Sequence, residues 1–359
     1  MGAFKNLIEP GSIVLGFTAG TLINRRRAIR ESERELHAPL LSAPRGASPS
    51  PTPQFYPDNT RFRNNLISRF LAKFPFLLEI WYWNLTYWVY QLARALTATI
   101  IRGNEAIFAR AQAHAISILS FETRLHIAIE LPIQKYILNH QPWLMTIFAK
   151  IYYSHIFVGV VFLVYIYTYL PTATFRKIRR TIAANNAIAF IVLSIYRCMP
   201  PRMLPPEYGF VDVLHSSVTN PGSAWTHNRF QLTIAAMPSL HFGTSLFLAV
   251  CLLRFSPHRM LRVVALLWPL AMLLTILATA NHFVCDALVG SMVPVVGWRV
   301  NRWICVLEPL EQWGFWVCRT EKPEPFAWGR AKAYGEVRRS PASSGAASPQ
   351  PWKDAESIV

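Results

Sequence analysis

The stretch "VVALLWPLAMLLTILATANHFVCDALVGSMVPVVGWRVNRW", residues 263–303, is apolar almost from end to end. It is twice as long as a helix must be to cross a bilayer (~20 residues). It therefore reads as two spans, 263–281 and 283–303, with almost no linker between them. At the junction stand His282 and Asp286, one helical turn apart on the same face. A charged carboxylate just inside a span is expensive, and such a residue is a functional hypothesis by default. It can accept a hydrogen bond from one imidazole nitrogen and leave the other to attack an electrophile. The competing reading is that Asp286 only caps or solvates the helix end.

Working outward, "IAAMPSLHFGTSLF" (234–247) brings Pro238, Ser239 and His241 to the mouth of another apolar run. Proline and serine suit a helix start, whose unpaired amides form an anion site. A phosphate seated there would have His241 beside it as a general acid. A helix cap followed by an interfacial histidine is the plainer alternative. A phosphate also calls for a guanidinium, with its fixed bidentate donors. "YRCMPPRMLPPEYGFVD" (196–212) supplies Arg197 and Arg202, and Arg202 is the first choice because it lies past the apolar run. Either arginine alone would also serve as an interface anchor.

Composition agrees with a membrane protein. The 359 residues are 52% hydrophobic and 15% charged, with a mean hydropathy of +0.25. Further apolar windows at 75–100, 144–170, 181–200 and 239–255 bring the total to about six spans. The expected fold is an all-α polytopic membrane helix bundle. Residues 104–137, "NEAIFARAQAHAISILSFETRLHIAIELPIQKYI", have apolar positions at helical spacing broken by charges. They read as an amphipathic helix in the interface. His155, with Tyr152 and Tyr153, lines a substrate groove or makes a polar contact between helices. His215 and His227 read as solvated loop residues.

The net charge of +17 would suit nucleic acid, but no nucleic-acid motif occurs and the basic residues flank apolar segments. "RKIRR" (176–180), "RFSPHRMLR" (254–262) and "RVNRW" (299–303) fall on one side if spans alternate, which makes that side cytosolic. The loop 201–238 and the junction at 280–282 then share the lumenal face. Residues 1–70 read as a largely disordered basic tail, with the short apolar run 12–23 an interfacial patch, and 321–359 as a second disordered tail. Between them lies one membrane domain, 71–320. The five cysteines lack metal-ligand spacing, and the carboxylates are too few and dispersed for a metal site, so no metal or cofactor is expected.

"MPSLH", "NHFVCDALVG" and "PPRML" together resemble the signature set of the type 2 phosphatidic acid phosphatase superfamily, and within it the inositolphosphotransferase branch that includes inositol phosphorylceramide synthase. The resemblance covers roughly residues 105–300 and takes in Glu122 and Glu130 on the interfacial helix. It implies His282 as the nucleophile toward phosphorus, Asp286 as its support and His241 as the acid that protonates the leaving group. Ser239, Arg202 and Arg197 would hold the phosphate. Leu240 stands where the wider superfamily has glycine, Thr275 and Ile276 replace its serine–arginine pair, and Ile195 replaces a lysine. Either Arg197 compensates for the missing cations or activity is weak or lost.

The resemblance therefore implies an integral membrane phosphotransferase that moves a phospholipid head group to a lipid hydroxyl such as ceramide's. The alternatives are a lipid phosphate phosphatase, or a catalytically silent lipid-binding relative. Membrane lipids are the expected partners. The expected location is the Golgi or another endomembrane, with the active site lumenal and the tails cytosolic. Oligomeric state is not legible.

Overall fold

The computed structural model describes residues 2–25, 57–214 and 232–323. The disorder expected for 26–56 and 324–359, and the expected exposure of His215 and His227, fall outside them. Among these residues twelve α-helices follow one another: α1 (Gly2–Ile23), α2 (Leu66–Lys73), α3 (Phe76–Ile101), α4 (Glu105–Arg124), α5 (Glu130–His140), α6 (Trp143–Tyr169), α7 (Thr172–Ile195), α8 (Leu240–Phe255), α9 (Arg259–Val264), α10 (Leu267–Ala278), α11 (Val284–Val300) and α12 (Glu308–Val317). Short 3-10 turns fill some connections, and no strand forms among the described residues. The fold is all-α.

Proline marks the entries. Pro75, Pro142 and Pro171 stand at the N-caps of α3, α6 and α7, where a missing N–H costs no hydrogen bond. Among the described residues three helical stretches are long and apolar enough to cross a membrane: Trp143–Tyr169, Thr172–Ile195 and Arg259–Ala278. Leu240–Phe255 is apolar but shorter, at 16 residues. Helix α3 is long enough but carries Glu79 and Arg94. Glu79 is buried against Arg179 of α7 at 2.8 Å, so its charge is paired inside the bundle.

The outward faces are apolar. Trp81, Leu85, Trp88, Leu92 and Leu96 form an exposed stripe on α3, as do Leu267, Leu270 and Leu274 on α10. Leu288, Met292 and Val295 do the same on α11. Apolar stripes of this extent are tolerated against lipid tails but not against water.

Several expectations change. The run 12–23 is not an isolated interfacial patch: it belongs to α1, which packs on α6 and is pinned by Asn24 Nδ2 donating to Thr168 Oγ1 at 3.0 Å. Within the stretch read as a basic tail, a 3-10 turn forms at Thr60–Phe62 and α2 begins at Leu66. "RKIRR" is not a connection either, because α7 begins at Thr172 and carries it in its first turns. The segment read as one interfacial helix is two, α4 and α5.

Helix α11 packs on α7 and α8, and α10 packs on α6 and α8. Two glycines permit the closest approach. A Cβ on Gly243 of α8 would collide with the Gly290 carbonyl of α11, and one on Gly290 would collide with the Ser239 carbonyl. The mouth of α8 thereby rests on the first turns of α11, with Ser239 N–H donating to the Asp286 carbonyl at 3.0 Å.

Candidate active site

Four chain segments meet at one end of the bundle. Helix α10 ends in a left-handed turn: Asn281 N–H donates to the Ile276 carbonyl and Ala280 N–H to that of Leu277. This is a Schellman closure with Ala280 at φ 50°, where glycine would normally stand. The Arg202 amide donates to the Ala280 carbonyl at 2.9 Å, and Ala236 N–H donates to the Cys198 carbonyl at 3.0 Å. The strap after α7, the strap before α8 and the α10–α11 junction are thus stitched together around His282.

His282 is 6% exposed. Its Nδ1 lies 2.7 Å from the Ala236 carbonyl oxygen. A carbonyl can only accept, so Nδ1 carries the proton and Nε2 holds the lone pair. Asp286 does not make the hydrogen bond expected of it. Its Oδ2 stands 3.7 Å from Nδ1 and instead accepts from the Phe283 amide at 2.9 Å, capping α11. The reason is geometric: at the third position of a helix a carboxylate folds back onto the N-cap amide. The orienting contact on the ring is made by the main chain, and Asp286 stands beside it without a hydrogen bond to it.

His241, in the first turn of α8, is framed by α6. Tyr152 stacks on it with ring centroids 4.2 Å apart, and His155 meets it edge-on at 4.5 Å. The His241 and His282 rings are 6.0 Å apart. Of the two readings of His155 and Tyr152, contact with the site residue His241 is what forms. Tyr153 points elsewhere, donating to the Leu214 carbonyl at 3.3 Å.

Arg202 is nearly buried and held on two sides. Its Nε donates to Asn281 Oδ1 and its Nη1 to Asp212 Oδ2, each at 2.8 Å. Asn281 is the residue before His282, so the guanidinium is anchored to the same junction. Ser239 is fully buried as the N-cap of α8, its Oγ 3.5 Å from the Phe242 amide. Arg197 is tied in through its backbone, its carbonyl accepting from His114 Nδ1 at 2.8 Å. None of the hydrogen bonds among the described residues joins its guanidinium to His241, His282 or Arg202.

Two features escaped the sequence reading. One is the Ala236 carbonyl, which leaves no trace in side-chain identity. The other is Arg94 of α3, which reaches the strap before α8. Its Nη2 is 3.3 Å from the Leu232 carbonyl, and its Nε is buried without a partner among the described residues. The signal was there, since an arginine inside a span is itself a pointer to function. Among the described residues no group of three or more His, Cys, Asp or Glu is placed to hold a metal ion.

The family model of the PAP2 superfamily matches residues 116–300. The chain belongs to the PAP2 superfamily. Neither the curated proteins nor the solved structures compared with it gave a match. The matched segment runs from within α4 to the end of α11 and contains His241, His282, Asp286, Arg202, Ser239 and Arg197. Arg94 lies before it. PAP2 superfamily members are generally phosphatases or phosphotransferases acting on lipid substrates at membranes. The arrangement at this end of the bundle brings together an imidazole whose Nδ1 is held by a main-chain carbonyl, a second imidazole and a fixed guanidinium.

Proposed function

We propose that this chain is a lipid phosphotransferase of the inositolphosphotransferase type, moving a phosphorylated head group from a phospholipid to a lipid hydroxyl such as ceramide's. The observation that carries the reading is the 6.0 Å pairing of His241 with a His282 ring whose Nδ1–H is committed to Ala236. In the first step His282 Nε2 attacks phosphorus, an N–P bond forms, and the P–O bond to the diacylglycerol oxygen breaks. His241 gives its proton to that oxygen. In the second step His241 takes the proton from the acceptor hydroxyl, whose oxygen attacks phosphorus while the N–P bond breaks and His282 is restored.

Asp286 stabilises the positive charge that the ring gains on attack. Arg202, Ser239 and Arg197 hold the phosphoryl oxygens, with Arg94 supplying a cation that the superfamily pattern places elsewhere. Among the described residues two donor atoms of Arg202 are engaged by protein groups, and the other donors of the same guanidinium would serve an anion. We place the site at the lumenal face of an endomembrane such as the Golgi, in a bundle of about six spans.

The test uses purified protein in mixed micelles with phosphatidylinositol, ceramide and phosphatidic acid, following head-group transfer and free phosphate release for wild type and His282→Ala. Transfer that disappears in the variant supports the proposal. Phosphate release without transfer replaces it with a phosphatase, and neither product from folded protein favours a silent relative.

A further inference from the structure

The first three amides of the segment that follows His282 are each capped by a different carboxylate. Phe283 N–H donates to Asp286 at 2.9 Å, Val284 N–H to Glu130 Oε1 at 2.7 Å and Cys285 N–H to Glu122 Oε1 at 2.6 Å. Glu122 comes from α4 and Glu130 from α5, so two interfacial helices reach into the bundle for this purpose. Both are fully buried. A helix N-terminus attracts one anion readily. Three buried carboxylates on successive amides exceed what its partial charge can balance.

The second oxygens tell how the excess is relieved. Glu122 Oε2 and Glu130 Oε2 find no partner among the described residues, although the Oε1 atoms of the same two carboxyl groups are held on the adjacent amides of Cys285 and Val284. Two ionised carboxylates cannot hydrogen-bond, whereas a carboxylic acid and a carboxylate can. We propose that Glu122 and Glu130 share one proton and act as positioning residues, clamping the start of α11 so that His282 keeps its place between the Ala236 carbonyl and His241. The shared proton stands on the geometry alone, whereas the positioning role rests on His282 being the nucleophile proposed above.

Chemistry on the same atoms agrees. Burial, with the Glu130 charge adding to it against the pull of the Cys285 amide, pushes Glu122 up to about 8. Burial also raises Glu130 above the ordinary carboxylate range. The other titratable groups facing the pair are Asp286 and Cys285 of α11 and Cys198 after α7, with Tyr196 beside Asp286 and Cys285. All are acids, so no cation among them neutralises the pair. Above the point where the shared proton leaves, two like charges remain on adjacent amides and the clamp opens.

The test has two arms on purified full-length wild type, Glu122→Gln and Glu122→Leu in micelles. Infrared difference spectra across about pH 6 to 10 read the protonated carboxyl directly, without any substrate. A carboxylic-acid carbonyl band that titrates near pH 8 in wild type and is missing from Glu122→Gln supports the shared proton. A band unchanged by the substitution, or none in wild type, overturns it.

The second arm is the pH profile of turnover on phosphatidylinositol with ceramide and on phosphatidic acid. Glutamine can accept the Cys285 amide and donate to Glu130 as the protonated acid does, whereas leucine can do neither. Glu122→Gln is therefore expected to turn over at least about tenfold faster than Glu122→Leu at neutral pH, a loss on the scale of an unsatisfied buried donor. Its alkaline limb should also move to higher pH. Equal losses in both variants, each still folded by thermal unfolding, overturn the positioning role. If wild type turns over none of these lipids, the proposed function fails, and the infrared arm still decides whether the proton is shared.

Discussion

His282 and Ala236 are joined by a 2.7 Å hydrogen bond from an imidazole nitrogen to a main-chain carbonyl. That bond fixes the ring's tautomer without help from a side chain. It also makes the reactive nitrogen depend on the strap 232–239, which is itself held by Cys198 and by α11. Asp286, at 3.7 Å, caps α11, and that role can be separated from the charge support proposed for it.

Asp286→Asn keeps an oxygen for the Phe283 amide and loses the charge. The variant is expected to unfold within a degree or two of wild type while turnover falls by at least about tenfold, since each tenfold is 1.36 kcal/mol of barrier. Asp286→Ala loses the cap as well and should cost a further ~1 kcal/mol of stability. Thermal unfolding and initial rates on the same preparations check both. Wild-type turnover in the asparagine variant would reduce Asp286 to a cap.

Arg94 is expected to bind the phosphoryl group together with Arg202. Arg94→Ala should lower kcat/KM by about 10- to 100-fold, on the scale of one charge-assisted hydrogen bond. Arg94→Lys keeps the charge without the planar fork and should fall between. Steady-state kinetics of the two variants decide. Unchanged kinetics in the alanine variant would remove Arg94 from the site.

The glycine contact between α8 and α11 sets the distance between the two histidines. Gly290→Ala puts a methyl group against the Ser239 carbonyl, and backbone cannot move aside as a flexible side chain can. We expect a loss of about 1–3 kcal/mol and most of the turnover. Gly314→Ala, in α12 with nothing within 4 Å of the added carbon, is the control and should leave turnover as it was. Unfolding midpoints and rates for the pair test the claim that this approach, not glycine content, matters.

The Glu122 proton also links stability to pH. Below its ordinary value of 4.5 the carboxyl is protonated in folded and unfolded chain alike. Between there and about 8 only the folded chain retains the proton, so unfolding releases it and stability falls as pH rises through that window. Above it the loss is complete. Glu122→Gln should flatten this part of the unfolding-midpoint curve in micelles, and an unaltered slope would contradict the assignment.

Much of this arrangement was legible in the chain. The spans expected at 75–100, 144–170 and 239–255 differ from α3, α6 and α8 by at most one residue at each end, because long apolar runs bounded by proline and polar residues leave little freedom. His282, Asp286, His241, Ser239 and Arg202 meet at one end because alternation of the helices requires it. The partners were not legible. The Ala236 carbonyl acts through backbone geometry, which side-chain identity does not encode. Helix α1 was passed over because twelve apolar residues look too few to matter alone, and its packing on α6 is a tertiary contact. Glu122 and Glu130 were picked out by the family resemblance alone, because helical spacing does not say which side of an interfacial helix meets the bundle.

The most direct measurement is to trap the covalent intermediate. Wild type and His282→Ala would be incubated with phosphatidylinositol or phosphatidic acid, quenched in alkali to preserve the N–P bond, and mapped by mass spectrometry. The account predicts an adduct on the peptide carrying His282 in wild type and none in the variant, with inositol phosphate as the added group when phosphatidylinositol is the donor. Turnover that proceeds with no adduct on His282, or that survives His282→Ala, would contradict it.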